Sequence, residues 1–97
     1  MMSEYIPPNL VTAPKMRWKL RSVLYDGGPN DDQHPGWSAA VGTFDKDPET
    51  VVIRWNGSSE NPLGTPQSRS APTWFVLPRE LRSVVKSWIE KEMGAKD

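Results

Sequence analysis

The stretch that most constrains this chain is its C-terminal part, residues 72–94. The apolar run Thr73-Trp74-Phe75-Val76-Leu77 reads as a strand, and it passes directly into a helical pattern over residues 78–93. Pro78 suits the first turn of that helix, where its missing N–H has no partner to lose. Glu80 follows in the same turn, at the positive end of the helix dipole. Leu81, Val84, Val85, Trp88 and Ile89 recur at i, i+3, i+4, i+7 and i+8, with Met93 one turn beyond. This is a single apolar stripe at helical period, and Gly94 supplies a C-terminal stop. Burying five such side chains contributes roughly 10 kcal/mol as an upper bound. A helix with that stripe requires a sheet to cover it.

At 97 residues the chain forms one domain with a modest core. Twelve Lys and Arg balance twelve Asp and Glu, so the formal net charge is zero. That argues against a strongly basic histone-like binder and against an acidic disordered tail. The chain has no cysteine, hence no disulfide framework and no thiolate metal site. No apolar run approaches membrane-spanning length, and residues 1–8 lack the basic start and apolar run of a signal peptide. A soluble cytoplasmic protein is the expectation. Ten prolines predict stiff turns, and five tryptophans predict either core or contact surface.

Residues 1–14 carry Pro7, Pro8 and Pro14 and read as a flexible, extended arm unless it docks, with Ile6, Leu10 and Val11 the material for a short edge strand. The remaining chain, 15–97, reads as the domain. Its first strand is predicted over residues 15–25, where Lys15, Arg17, Lys19 and Arg21 alternate with Met16, Trp18 and Leu20. Alternation sets a basic face against an apolar one, and Trp18 is expected to face the helix. An acidic, turn-rich loop follows over 26–36. Residues 37–44 form a second strand, 45–48 a second acidic turn, and the β-branched run 50–55 a third strand closed by Asn56-Gly57. Residues 58–72 show no period and read as a long functional or disordered loop. The order predicts an α+β domain: a curved antiparallel sheet of about four strands packed on one C-terminal helix. One sheet face is then expected to lie uncovered, and a homodimer follows as the expectation.

Catalytic signals are few. Asp31, Asp32 and His34 are the only local set with metal-binding or hydrolytic chemistry, and their spacing matches no metal-site motif. Ser58, Ser59, Ser68 and Ser70 have no local base and no nucleophile elbow. No phosphate-binding glycine motif occurs. A non-enzyme without cofactor or metal is the expectation. The basic face of the first strand, together with Arg54 and Arg69, suggests instead a surface that tracks a phosphate backbone, with Trp37, Trp55 and Trp74 as stacking candidates. Trp18 and Trp88 are expected in the core.

The sequence Ile53-Arg54-Trp55-Asn56-Gly57, a Pro/Gly-bearing stretch, and Trp74-Phe75-Val76-Leu77-Pro78 leading into the last helix resemble the single-stranded-DNA-binding transcriptional coactivator family. The likeness spans about half of the chain. It differs at Ala71 and Pro72, where a glycine and a lysine usually precede the last strand. The resemblance implies a dimer of four-stranded sheets with one helix each and a nucleic-acid ligand. The leading expectation is therefore a small non-enzymatic module contacting single-stranded nucleic acid, with Lys15, Arg17, Lys19, Arg21 and Arg54 on phosphates. The alternative is a protein-interaction module, an inhibitor or adaptor, that uses the 58–72 loop. A hydrolase built on Asp31, Asp32 and His34 stands third.

Overall fold

The computed structural model describes residues 5–30, 36–58 and 60–94. The fold is α+β, as expected: an open four-stranded antiparallel sheet with one C-terminal helix. The strands are β1 (Trp18–Asp26), β2 (Trp37–Phe44), β3 (Asp47–Trp55) and β6 (Phe75–Val76), in spatial order β1-β2-β3-β6. Two short strands, β4 (Gln67–Ser68) and β5 (Ala71–Pro72), pair separately as a hairpin. The helix α1 is Arg79–Gly94. Asp31, Asp32 and His34 lie outside the described residues, as does Ser59. Among the described residues no helix is long and apolar enough to cross a membrane.

Local chemistry sets the strand ends. Pro14 O accepts hydrogen bonds from the N–H groups of Arg17 (3.1 Å) and Trp18 (2.8 Å). The chain therefore turns over residues 14–17, and β1 begins at Trp18 rather than at Lys15. The β2–β3 connection is a two-residue loop, Asp45-Lys46, with Asp45 at φ 56°, a conformation that Asp tolerates better than most residues. The 58–72 stretch holds the β4–β5 hairpin, whose loop residues Arg69 and Ser70 both take positive φ (52° and 66°). Asn-Gly is the usual signal for such a turn, and its absence hides the hairpin.

Strand register divides the core in two. Trp18, Ala40, Val52 and Trp74 form one layer with Val11, and Ile6, Leu20, Phe44 and Val76 pack against it. Residues 5–14 cover this layer: Val11 and Pro8 are fully buried around a 3-10 turn, Pro8–Leu10, in place of an edge strand. Trp18 thus lies on the face away from the helix. It fits there because Gly42 has no side chain, and a Cβ at that position would strike the indole. The second layer is Val41, Val51 and Leu77 with Leu24, Ile53 and Val85, and α1 covers it. The face expected to lie bare is occupied by the arm.

The helix stripe is only half used. Ile89 is buried and Val85 half-buried, whereas Leu81, Val84 and Trp88 are 46, 61 and 42% exposed. At about 100° per residue, the apolar positions of α1 span roughly half the helix circumference, wider than the ≳100° arc that packing on one sheet requires. The inner part of the arc meets the sheet. The outer part, Leu81, Val84 and Trp88, faces outward. This corrects the expectation that the whole stripe, Trp88 included, is core.

Candidate functional site

Beside α1 the sheet opens into an apolar groove of about 550 Å³. Alternation puts Ile53 and Trp55 of β3 on the helix side, with Trp37 of β2 directly opposite Trp55 and Phe75 of β6 opposite Ile53. These four side chains and Val85 of α1 line the groove, together with Thr65 and Pro66. Trp55 and Phe75 remain 50 and 55% exposed at its margin. Tyr25, Trp37 and Trp88 form an aromatic cluster at the helix end of the groove, with centroids 4.8 Å (Tyr25–Trp37), 5.4 Å (Trp37–Trp88) and 5.6 Å (Tyr25–Trp88) apart. The Tyr25–Trp88 contact is edge-on, a favoured geometry for aromatic quadrupoles.

The loop wall is held by backbone and by one buried cation. Trp55 and Thr65 exchange two hydrogen bonds, 2.8 and 3.1 Å, that extend the sheet by a single bridge. Gly64 precedes that bridge at φ 70°, where a Cβ would meet the Trp55 carbonyl and the Arg54 guanidinium. Arg54 points to the other side of β3, is 4% exposed, and donates to the carbonyls of Leu63, Pro66 and Thr73. Its Nε has no partner among the described residues, and burial pulls its pKa down to about 10, so it stays cationic at neutral pH. Arg54 therefore ties the 63–73 segment to β3 and is not part of an exposed basic patch. Trp74 is likewise core: it is buried, and its indole N–H donates to Val11 O at 2.7 Å.

The remaining predicted residues are split between the two ends of the sheet. Trp18 pairs with Phe44 at one end of the β1–β2 ladder, and Trp37 pairs with Trp55 at the far end of β2, roughly 24 Å away at strand rise. Lys15, Arg17, Lys19 and Arg21 belong to the first end and Trp37 and Trp55 to the second. Arg69 is exposed at the β4–β5 turn. The acidic β2–β3 turn also folds back on the basic strand. Arg17 makes a bidentate pair with Asp45 (2.9 and 3.0 Å) and lies over the Phe44 ring. Arg21 reaches Glu49 at 3.3 Å and Pro48 O at 3.1 Å. Asp47 accepts from the Glu49 N–H and pairs with Arg82 of α1 at 2.9 Å, contacts that hold its carboxyl below the usual range. The Asp45 carboxyl is lowered chiefly by its hydrogen bond from Arg17. Such exposed pairs add little stability, but they occupy both arginines. Lys15 and Lys19 have no ion-pair partner among the described residues.

Comparisons bear on none of this. No protein-family model, curated protein or solved structure matches the chain.

Among the described residues no cluster of three or more His, Asp or Glu could hold a metal. Ser58 Oγ accepts from the Asn61 N–H at 3.3 Å within a turn, and Ser68 and Ser70 are exposed on the hairpin. Among the described residues the groove walls are mainly apolar, with Arg54 and Thr65 the only charged and hydroxyl residues that line it. Sequence patterning carried two signals for it: the alternation Ile53-Arg54-Trp55, and a helix stripe broader than one sheet can cover.

Proposed function

We propose that this protein is a non-enzymatic protein-interaction module whose contact site is the apolar groove between α1 and the 58–72 loop. One observation carries the reading: Trp55 and Phe75 stand half-exposed on the rim of a preformed concavity floored by Trp37 and Ile53. Half-exposed aromatics around an apolar pocket are the composition of interface hot spots. An apolar peptide segment, extended or helical, is the class of occupant that such a groove takes.

The nucleic-acid reading keeps Lys15, Lys19 and Arg69 as cations without an ion pair among the described residues. Its other strand cations are engaged by Asp45, by Glu49 and by loop carbonyls, and its tryptophans stand at the opposite end of the sheet. Stacking and phosphate neutralisation need to act on the same few nucleotides, so the arrangement favours a protein ligand.

The test is selection of a phage-displayed peptide library on the full chain, with Phe75→Asp as the control bait. The expected result is enrichment of peptides rich in Trp, Phe and Leu that do not bind the control. Their amide shift perturbations should centre on Thr65, Phe75 and Val85. A thymidine oligonucleotide titrated at low salt is the competing probe. Binding that falls steeply with salt and maps to Lys15 and Lys19, with no peptide enriched, would overturn the proposal.

A further inference from the structure

The groove does not end at the helix. Going round α1 at about 100° per residue, the order is Ile89 toward the sheet, Val85 on the groove wall, then Trp88 and Leu81, then Val84. The outward stripe thus lies on the groove side, and stripe and groove form one apolar face. Fully burying an aromatic side chain hides roughly 150–250 Å². The half-exposed Trp55, Phe75 and Trp88 therefore leave on the order of 300 Å² uncovered by that measure. Leu81 and Val84, 46 and 61% exposed, enlarge the face toward the ~800 Å² that each partner of a standard interface contributes. Isolated surface apolars need no explanation; a continuous face of this extent does.

We infer that the occupant of this face is a second copy of the chain, with the two α1 helices packed antiparallel across a two-fold axis. This rests on the reading of the face as a protein contact, and three observations identify the partner. The first is self-complementarity. An isologous interface must carry both the projection and the recess on one surface, and here Leu81, Val84 and Trp88 project beside the recess between Val85 and Phe75.

The second is charge along the stripe. Glu80, Ser87 and Lys91 flank the outward side of the stripe, Glu80 near its start and Lys91 near its end. An antiparallel pair centred between Val84 and Val85 sets Leu81 against Trp88 of the second copy. It also brings Glu80 within a turn of Lys91 of the second copy, twice by symmetry. A parallel pair would put the two Glu80 side chains on opposite flanks, a helix length away from Lys91 of the second copy, and would align the helix dipoles unfavourably. The third is the formal net charge of zero, which removes the long-range repulsion that keeps like chains apart.

Sedimentation velocity of the full chain from low to high micromolar concentration tests the inference. The expected parent is a dimer at the upper end. Val84→Glu places a charge in the middle of the stripe at a position outside the core, and should weaken pairing by about 30-fold or more, the scale of a hot-spot loss, with an unchanged circular dichroism spectrum. Glu80→Lys should also weaken pairing, and the double variant Glu80→Lys with Lys91→Glu should restore it. A parent monomeric throughout, a dimer indifferent to Val84→Glu, or a charge swap without rescue would each overturn the antiparallel pair. The two proposals fail separately. A monomeric parent that still takes a selected peptide at Phe75 sinks only the second-copy inference. A parent that pairs as described, and whose Val84→Glu monomer takes no peptide, supports the pair and sinks the general peptide-binding reading.

Discussion

The indole N–H of Trp74 donates to the carbonyl of Val11 across 63 residues of sequence, at 2.7 Å. This bond joins the N-terminal arm to the segment entering β6, the edge strand that leads into α1. Both residues are buried, and both belong to the layer beneath Trp18. The arm is thus the second cover of the sheet, opposite the helix. Without it the indoles of Trp18 and Trp74, whose centroids lie 6.5 Å apart, would face water.

Trp74→Phe should destabilise the fold by about 1–3 kcal/mol, because it keeps most of the packing but leaves a buried carbonyl unpaired. Trp74→Ala should cost about 3–5 kcal/mol, as a large core cavity does. Urea denaturation of both variants measures the difference. A Trp74→Phe variant as stable as the parent would mean that the hydrogen bond contributes nothing beyond packing.

The half-used helix stripe predicts an inverted order of sensitivity. Ile89→Ala should cost about 2–5 kcal/mol as a core truncation. Trp88→Ala, despite removing the larger side chain, should cost less, on the order of 1–2 kcal/mol, because Trp88 is 42% exposed and loses mainly its ring contacts with Tyr25 and Trp37. The comparison is made at low protein concentration, where association does not contribute. A greater loss at Trp88 would place it in the core.

Arg54 predicts a failure of conservative substitution. Its planar guanidinium spans the carbonyls of Leu63, Pro66 and Thr73. Arg54→Lys offers a point charge that does not reach all three, so it should lose about 2–3 kcal/mol, close to the loss for Arg54→Ala, at the cost of charged hydrogen bonds. Amide exchange of Thr65, measured in both variants, should accelerate as the loop wall detaches. A Lys variant that keeps the slow exchange would show that charge alone holds the loop.

The two lowered carboxyls predict acid sensitivity. Asp45 and Asp47 both have folded pKa values below the ordinary value of 3.8. A carboxyl lowered in the folded state contributes stability that is fully present above its unfolded pKa and is lost as pH falls through the folded value. Stability should therefore be flat in this respect from neutral pH down to the carboxylate range, and should fall below it. Asp47→Asn should flatten that fall and leave the slope at neutral pH unchanged. Equilibrium denaturation at stepped pH values reads the slope directly.

Much of the fold was legible because it depends on period. Alternation along β1, the β-branched run of β3 and the i, i+3, i+4 stripe of α1 are local signals, and each element formed over most of its pattern, β1 starting late at Trp18 because residues 14–17 turn. The face to which Trp18 turns was not legible. Alternation says that Trp18 and Lys19 point to opposite sides, but not which side the helix takes. Gly42 and the docking of Val11 decided it. The β4–β5 hairpin escaped notice for a different reason, since Arg69 and Ser70 adopt a turn conformation that their side chains do not favour.

The site shows the same division. Residue type marked Trp55 as a contact candidate, and the structure leaves it half-exposed; spacing placed Arg54 on the opposite side of its strand, and there it meets the loop carbonyls. Pairing was beyond the sequence, because an ion pair depends on which loop returns to which strand. The hairpin at Asp45-Lys46 brings Asp45 to Arg17 and Glu49 to Arg21, while Leu63, Pro66 and Thr73 enclose Arg54. Period and propensity act over a few residues, and they determined the elements and the apolar surplus of α1. Burial, charge pairing and the groove arise between residues distant in the chain, and only the tertiary structure decided those.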